Sequence, residues 1–441
     1  MKNRKIYKSK ILKVLTVLLA FSIFSCSGIL DAENPNSLVE ANLDNPSAAG
    51  PMVNGSEAAV TRALANILLP AAIAADEVVW SGSRDAWQQL NLGQLTDFEN
   101  EFTDGAFAYV GEARWWSKEV VDRLEGFVAD GVPVNDVLLV RAYMYAAIIH
   151  ITIGDLYDDF ALSDKETSGP AVGTANMSSF YDTAIAYLDK AVALDATNAG
   201  ANGLLARAHW SKAARVKAKA RDGANALINN AAANAAAALG GDLVMVVDGT
   251  TPDVIGGLAF GSEVNNRKEQ RLSSLYVVND PATGNSVNGF GAGGTVSPAN
   301  SISLMDPIDG TPDLVLYDKV VDFVTSGIHP DFIVSSSAEM QLILAEAALA
   351  AGDVPLFTTR INALRGPDLT PWVDEVTSGV SAQDLLIHER RVHLYLQGRR
   401  LTDHYRFDDP SPYWLPSSDA FNAPVLFPIG ITEVRANTLI D

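Results

Sequence analysis

Ser337-Ala338-Glu339-Met340-Gln341-Leu342-Ile343-Leu344-Ala345-Glu346-Ala347 is followed forty residues on by Ile387-His388-Glu389-Arg390-Arg391-Val392-His393-Leu394-Tyr395-Leu396-Gln397-Gly398-Arg399-Arg400, and these two stretches decide the fold. Both carry apolar residues at helical spacing, and both set charges inside that pattern. Glu339 and Glu346 are seven residues apart, two helical turns, and therefore share one face. Glu389, Arg390, Arg399, Arg400, Asp403 and Arg406 are expected to form an ion-pair network that closes the core. Gly398 stands where a helix predicted to end near Leu396 needs a left-handed cap.

Working outward, the helical pattern dominates the chain. Helices are predicted over 336–351, 357–364 and 381–396, and earlier over 57–75, 106–128 and 136–152. Trp115, Trp116, Val120, Leu124 and Phe127 form an apolar stripe on the second of these early helices and are expected in the core. Across 178–239 three further helices follow, with Phe180-Tyr181, Ala184 and Leu188 on the first and Leu204-Leu205, Ala208 and Val216 on the second. The third, alanine-rich, is predicted over 222–239. This run resembles tetratricopeptide-type helix pairs, whose period is about 34 residues. Residues 240–329 are rich in glycine and proline, with short β-like runs at 243–247, 275–278 and 314–316. From Asp408 the tail reads as an irregular wrap.

The formal charge is −21, yet the first 25 residues hold six basic groups and no acidic one. Without them 26 basic residues face 53 acidic ones, a formal −27. Such a surface repels phosphate backbones, so nucleic acid is not an expected partner. Lys2, Arg4, Lys5, Lys8, Lys10 and Lys13 precede an apolar run over 14–24, too short to span a bilayer and suited to the core of a signal peptide. Ile23-Phe24-Ser25-Cys26 then resembles the lipobox of bacterial lipoproteins, with Cys26 as the acylated residue and Phe24 bulkier than usual. Two or more acyl chains, at about 0.8 kcal/mol per buried CH₂, anchor a protein stably. Cys26 is also the only cysteine, so the chain has no intramolecular disulfide.

No local catalytic constellation stands out, and neither cofactor nor metal is expected. His388-Glu389 and His393 approximate a zinc signature, but a spacing of five puts the imidazoles roughly 140° apart around a helix. The stretch 289–294 is glycine-rich but leads into Thr295-Val296-Ser297-Pro298 and not into a helix. Asp306, Asp309 and Asp313 could hold Ca²⁺, although not with EF-hand spacing. A binding role is better supported. Between Asp76 and Asn91, Trp80, Arg84, Asp85, Trp87 and Gln88 mix flat aromatic faces with planar polar groups, which is how sugars are held. Covering about 100 Å² of indole at about 25 cal/mol per Å² yields roughly 2.5 kcal/mol. The alternative for Trp80 and Trp87 is plain core packing. Tyr413 and Trp414, in a proline-rich loop, form a second candidate site.

Four blocks in order resemble the SusD/RagB family of surface nutrient-binding lipoproteins. They are Ile29-Leu30-Asp31-Ala32-Glu33-Asn34-Pro35-Asn36, the 337–365 stretch through Gly352 and Ile361-Asn362-Ala363-Leu364-Arg365, the 387–406 stretch, and Phe427-Pro428-Ile429-Gly430 with Glu433. Ser336, His393, Gln397 and Gly430 depart from that family's usual residues. The resemblance implies a mainly α, SusD-like fold of tetratricopeptide-like stacked helix pairs with irregular loops and minor β. It implies a signal peptide over 1–25, a lipid-anchored tether over 26–55 and one helical domain over 56–441. That domain would hold the repeat-like helices at 178–239, a loop-rich insertion at 240–329 and a C-terminal part at 336–441. It further implies a non-catalytic lipoprotein, anchored in the outer membrane through Cys26 and facing the cell surface. Such a protein captures a glycan, or else a peptide, for a SusC-like TonB-dependent transporter, with ligand loops in the early region and the middle insertion. A helical-repeat scaffold of the cell envelope is the alternative.

Overall fold

The computed structural model describes residues 43–225, 230–245, 260–278, 301–327 and 330–440. Contacts divide the chain into two compact units, Met1–Ala48 and Ala49–Asp441. The first is described over 43–48 alone, where a 3₁₀ turn spans Pro46–Ala48. Cys26, the lipobox, the 29–36 block and the 289–294 stretch lie outside the described residues.

The second unit is mainly helical. It opens with α1 (Ala49–Ala74), a short strand β1 (Val78–Trp80) and α2 (Asp85–Asn91). Then come α3 (Glu101–Ala129), α4 (Asp136–Leu156), α5 (Ser179–Leu194), α6 (Ala199–Ala220) and α7 (Asn230–Leu239). Side-chain caps explain where several begin. Asn100 accepts from the Phe102 and Thr103 N–H groups, Asn135 from Val137 N–H, and Asn198 from Ala201 N–H. Helix α1 starts earlier than the composition suggested, so 49–55 is helix and not tether. Pro51 falls in its first turn, where a missing N–H costs nothing. Helices α1 and α4 are apolar enough to cross a membrane by length and composition, yet both are largely buried in this unit.

Consecutive helices pack in order: α3 on α4, α4 on α5, α5 on α6 and α6 on α7. Only residues 195–198 join α5 to α6, which forces them antiparallel. The stack continues through α9 (Ser337–Ala350) and α10 (Val354–Arg365), reached after β2 (Leu243–Met245), β3 (Gln270–Leu272), α8 (Leu314–Thr325) and β4 (Phe332–Ser335). The described strands form two antiparallel ribbons, β1 with β3 and β2 with β4. The 314–316 run, expected as β, is instead the first turn of α8. Asp313 caps it by accepting from Val315 N–H (2.7 Å), and Leu316, Val320 and Phe323 bury one helical face. The 275–278 run is no strand either; only Val277 bridges, to Ile302. Beyond α11 (Glu375–Ser378), α12 (Ala382–His393) ends three residues before Leu396, and α13 (Arg400–Arg406) follows a turn. Gly398 in that turn has φ +73°, and a Cβ there would sit 2.8 Å from Leu68.

The expected ion-pair network is present and buried. Arg399 donates to Glu339 (3.0 Å), Arg406 pairs with Glu346, and Arg390 donates to Asp403 (2.8 Å). Arg365 bridges Asp306 (2.7 Å) and Glu389 (2.8 Å), and Arg400 clasps both oxygens of Asp76 at 3.0 Å. Ser336, where the resembled family carries arginine, is the N-cap of α9 and accepts from Glu339 N–H at 3.1 Å. Breaking one buried pair strands its partner charge, at a cost of about 3–5 kcal/mol. Glu346→Ala is therefore expected to lower the urea unfolding free energy by about that amount, whereas a change under about 1 kcal/mol would mean that the pair contributes as little as a surface one.

Candidate functional site

Strand β1 pairs with β3 in the register Val78↔Leu272, Val79↔Arg271 and Trp80↔Gln270. Past Trp80 the chain turns around Glu269, whose carboxylate accepts from Ser83 N–H (2.8 Å) and Ser83 Oγ–H (3.2 Å). Those hydrogen bonds hold its pKa below the ordinary glutamate value. A Cβ on Gly82 would fall on the Glu269 carboxylate, so this turn admits only glycine at its tightest point. Helix α2 then starts at Asp85.

This local construction consumes most of the sugar-site candidates. Trp87 is fully buried, its ring stacked on Phe102 with centroids 3.4 Å apart and planes 8° apart. Arg84 lies over the same phenylalanine at 5.3 Å. Trp414 is also core: its indole N–H donates to the Ala74 carbonyl (2.8 Å), and its ring packs on His404 and Tyr405. Neither tryptophan offers a face to a ligand, which corrects both expectations. Trp80 and Tyr413 are half-buried, Asp85 is exposed and Gln88 is intermediate. Tyr413 Oη lies within hydrogen-bonding distance of Ser273 Oγ (3.1 Å) and Ser274 Oγ (3.3 Å), beyond one end of β3, whereas Trp80 sits opposite the other end. At about 3.4 Å per residue these two positions are roughly 10 Å apart along the ribbon. Trp115 and Trp116, expected in the core, are half-buried.

A cavity of about 460 Å³ lies beside α8, β4 and the turn after α12. Phe260, Phe323 and Phe332, all three themselves buried, back it as one cluster, with Phe260 5.2 Å from Phe323 and 6.2 Å from Phe332. Asp322, Ser326 and Asp331 are exposed members of its lining, and Lys319 is more deeply set. Tyr395-Leu396-Gln397 form a further part of its wall. This wall is strained: Leu396 has φ +59°, a left-handed conformation costly for a leucine. Glu77 holds it there. Its Oε1 accepts from Leu396 N–H (2.8 Å), and its backbone carbonyl accepts from Tyr395 Oη–H (3.3 Å).

Glu77 and its neighbour Asp76 are both buried, yet their environments drive them apart. Burial pushes Glu77 up to about 8. Burial also works to raise Asp76, but the His404 and Arg400 side chains outweigh it and hold Asp76 well below the carboxylate range. Neither reaches solvent, so the pair shapes the cavity wall and has no access to a substrate. The aspartates considered for Ca²⁺ are likewise engaged within the protein. Asp306 pairs with Arg365, Asp309 accepts from Thr311 and Thr370 N–H, and Asp313 caps α8. Among the described residues no group of three acidic, histidine or cysteine side chains is placed to hold a metal.

Sequence reasoning missed Phe260, Lys319, Leu396 and Gln397 as site residues. Phe260 and Lys319 fall in the middle insertion, which was expected to carry ligand loops. Leu396 gave no signal, because a leucine does not announce a positive φ.

No protein-family model and no curated protein matches the chain. Solved structures do. A SusD-superfamily protein from Bacteroides fragilis superposes with a TM-score of 0.56 at 14% identity, over 90% of this chain and 99% of that one. A SusD-superfamily protein from Bacteroides vulgatus ATCC 8482 gives 0.55 at 14% identity, over 90% and 98%. A candidate sugar-binding protein from the same organism gives 0.53 at 13% identity, over 90% and 97%. At such identities the likeness establishes the fold, and the fold of this chain is SusD-like.

Two measurements test the site's construction. Trp87→Ala is expected to destabilise the protein by about 3–5 kcal/mol and Trp80→Ala by no more than about 2 kcal/mol, read from denaturant midpoints; equal effects would reverse the core assignment of Trp87. For Glu77, the folded value lies above the ordinary 4.5, so its contribution is full below that value and is lost as pH rises through about 8. Glu77→Gln, which cannot ionise, should therefore gain stability over the parent between pH 5 and 9, and a pH-independent difference would show that Glu77 does not titrate there.

Proposed function

Taking the SusD-like fold as premise, we propose that this chain is a non-catalytic capture protein that binds an oligosaccharide in the cavity beside α8. It is held on the outer membrane by acyl chains on Cys26 and delivers its ligand to a SusC-like TonB-dependent transporter. The cavity carries this reading. A space of about 460 Å³ with an aromatic cluster in its wall and Lys319, Asp322, Ser326 and Asp331 around it suits a small sugar, apolar on its faces and polar at its rim. The candidate sugar-binding protein from Bacteroides vulgatus with the same fold adds support. The basic start, the 14–24 apolar run and the lipobox at Cys26 support export and lipidation. The acidic surface favours neutral or locally matched ligands over polyanions.

Binding of this kind has to be reversible, since a delivery protein must release what it holds. With few fully enclosed contacts, dissociation constants in the micromolar to millimolar range are expected after the cost of association. The test combines a glycan array with a mild-detergent pull-down of tagged, lipidated protein. Oligosaccharide binding and recovery of a large TonB-dependent barrel at near one-to-one ratio are the expected results. Envelope proteins recovered without a barrel, together with a blank array, would point to the scaffold alternative.

A further inference from the structure

Leu396 holds a conformation that its residue type resists. Its φ of +59° is left-handed, and leucine suffers there the Cβ clash that Gly398, at φ +73°, escapes. The backbone hydrogen bonds of its own turn run from Leu394 N–H to the Arg390 carbonyl (3.0 Å) and from Gln397 N–H to the Leu394 carbonyl (3.1 Å), and they bypass the Leu396 N–H. That group donates to Glu77 Oε1 (2.8 Å), 319 positions away in the sequence. The Glu77 backbone is firmly mounted. Its N–H donates to the Ala72 carbonyl (3.2 Å), and its carbonyl accepts from Ser273 N–H (3.0 Å) and Tyr395 Oη–H (3.3 Å). One fixed carboxyl group therefore restrains one strained residue, and that residue lines the cavity with Tyr395 and Gln397.

The Leu396 N–H is what the carboxyl group has for a partner, because Glu77 Oε2 is buried without a hydrogen bond. Titratable and charged groups face it from several elements. Asp76 precedes it in the chain, and Arg400 and Asp403 approach from α13, with His404 3.4 Å from Asp76. Tyr395 follows α12, and Tyr276 follows β3 with the Arg391 guanidinium over its ring at 5.1 Å. The cation acting on Glu77 is Arg400, and it is already shared between Asp76 and Asp409. Asp403 is matched by Arg390. A charge on Glu77 thus lies desolvated beside Asp76 with no counter-ion of its own, whereas the neutral acid leaves a single O–H bare, which costs less. Burial accordingly pushes Glu77 up to about 8 against the pull of the Leu396 N–H, with Asp76 and Asp403 adding to the rise and Arg400 opposing it.

We propose that Glu77 is a proton-controlled positioning residue of the cavity: as the neutral acid it latches the Tyr395-Leu396-Gln397 wall through the Leu396 N–H, and loss of its proton unlatches that wall. Once ionised, the carboxylate regains solvation only by leaving its site, and its departure frees Leu396 to relax to an ordinary negative φ. Solvation of the charge and relief of the strain act in the same direction. The latched form is the protonated one, so the wall holds below about 8 and gives way as pH rises above it, each further unit favouring the unlatched state about tenfold. Helices α9 and α13 are held to each other by arginine–carboxylate pairs that do not include Glu77, so the stack stays closed while the wall moves.

The experiment is millisecond-labelled hydrogen exchange on the full, ligand-free chain from about pH 6 to about pH 10, with the protection factor of the Leu396 amide set against those of α9. In the parent protein, protection at Leu396 is expected to stay level up to about pH 7 and to fall roughly tenfold per unit above about pH 8, while α9 remains protected. Glu77→Gln keeps an acceptor for the Leu396 N–H and has no proton to lose, so its protection should be level throughout. The parent profile with α9 as internal reference needs no variant, should Glu77→Gln fail to fold. Level protection at Leu396 in the parent, a fall of equal size in Glu77→Gln, or a fall shared by α9 would overturn the inference. Exchange is read without ligand, so the latch stands or falls separately from the capture reading, which glycan binding decides.

Discussion

Glu339 and Glu346 lie two turns apart on α9, and Arg399 and Arg406, with the same spacing, meet them from α13 and its N-cap. Two charge pairs at matched pitch fix the rotation and the axial position of one helix against the other. Trp210 on α6 locks the third side. Its indole N–H donates to Glu346 (2.8 Å), and the Arg390 and Arg406 guanidinium groups lie over its ring at 4.3 and 5.5 Å. Buried charges of this kind add little net stability, because desolvation offsets their attraction. What they supply is a unique arrangement: helices with largely alanine and leucine faces could slide by a turn, but a slid helix would strand four charges in a dry interior.

The same ionic centre reaches the cavity. Arg400 follows Arg399 directly and clasps Asp76, and Asp76 is covalently next to Glu77. Glu77 in turn holds Leu396 in its left-handed conformation, and Leu396 with Gln397 forms one cavity wall. The strain at Leu396 is therefore sustained by a neighbour that is itself fixed by ion pairs, which is the condition under which such strain persists. The wall is set before any ligand arrives, and little ordering entropy is left for binding to overcome.

How much of this was legible in the sequence follows from what each residue does locally. The helices were readable because apolar stripes repeat at helical spacing; the caps at Asn100, Asn135, Asn198 and Ser336 fix starts that the stripes alone did not give, as at Glu101, five residues before the expected 106. The Glu339–Glu346 face was readable because a seven-residue spacing has one geometric meaning on a helix. The tryptophan-rich candidate site was not, for a specific reason. Ser81, Gly82, Ser83, Arg84 and Asp85 look like sugar-binding groups, but the tight turn around Glu269 requires the same residue types. Polar residues among aromatics mark a ligand site and a strand–turn–helix corner alike. Only the stacking of Trp87 on Phe102 separates the two. The cavity was still less legible. Its residues come from positions 244 to 397 and meet only after the stack has closed.

The two walls of the cavity have different origins, and this bears on how the fold serves different ligands. The Tyr395-Leu396-Gln397 wall is tied to the buried arginines and carboxylates, so substitution there disturbs the helix stack. Lys319, Asp322 and Ser326 belong to α8, which meets the stack through the apolar residues Leu316, Val320 and Phe323. Helix α8 sits beside α12 but carries none of the arginine–carboxylate pairs that fix α9 against α13. Its solvent-side residues can change without unpairing a buried charge. A scaffold built this way separates the part that must stay constant for folding from the part that selects a ligand.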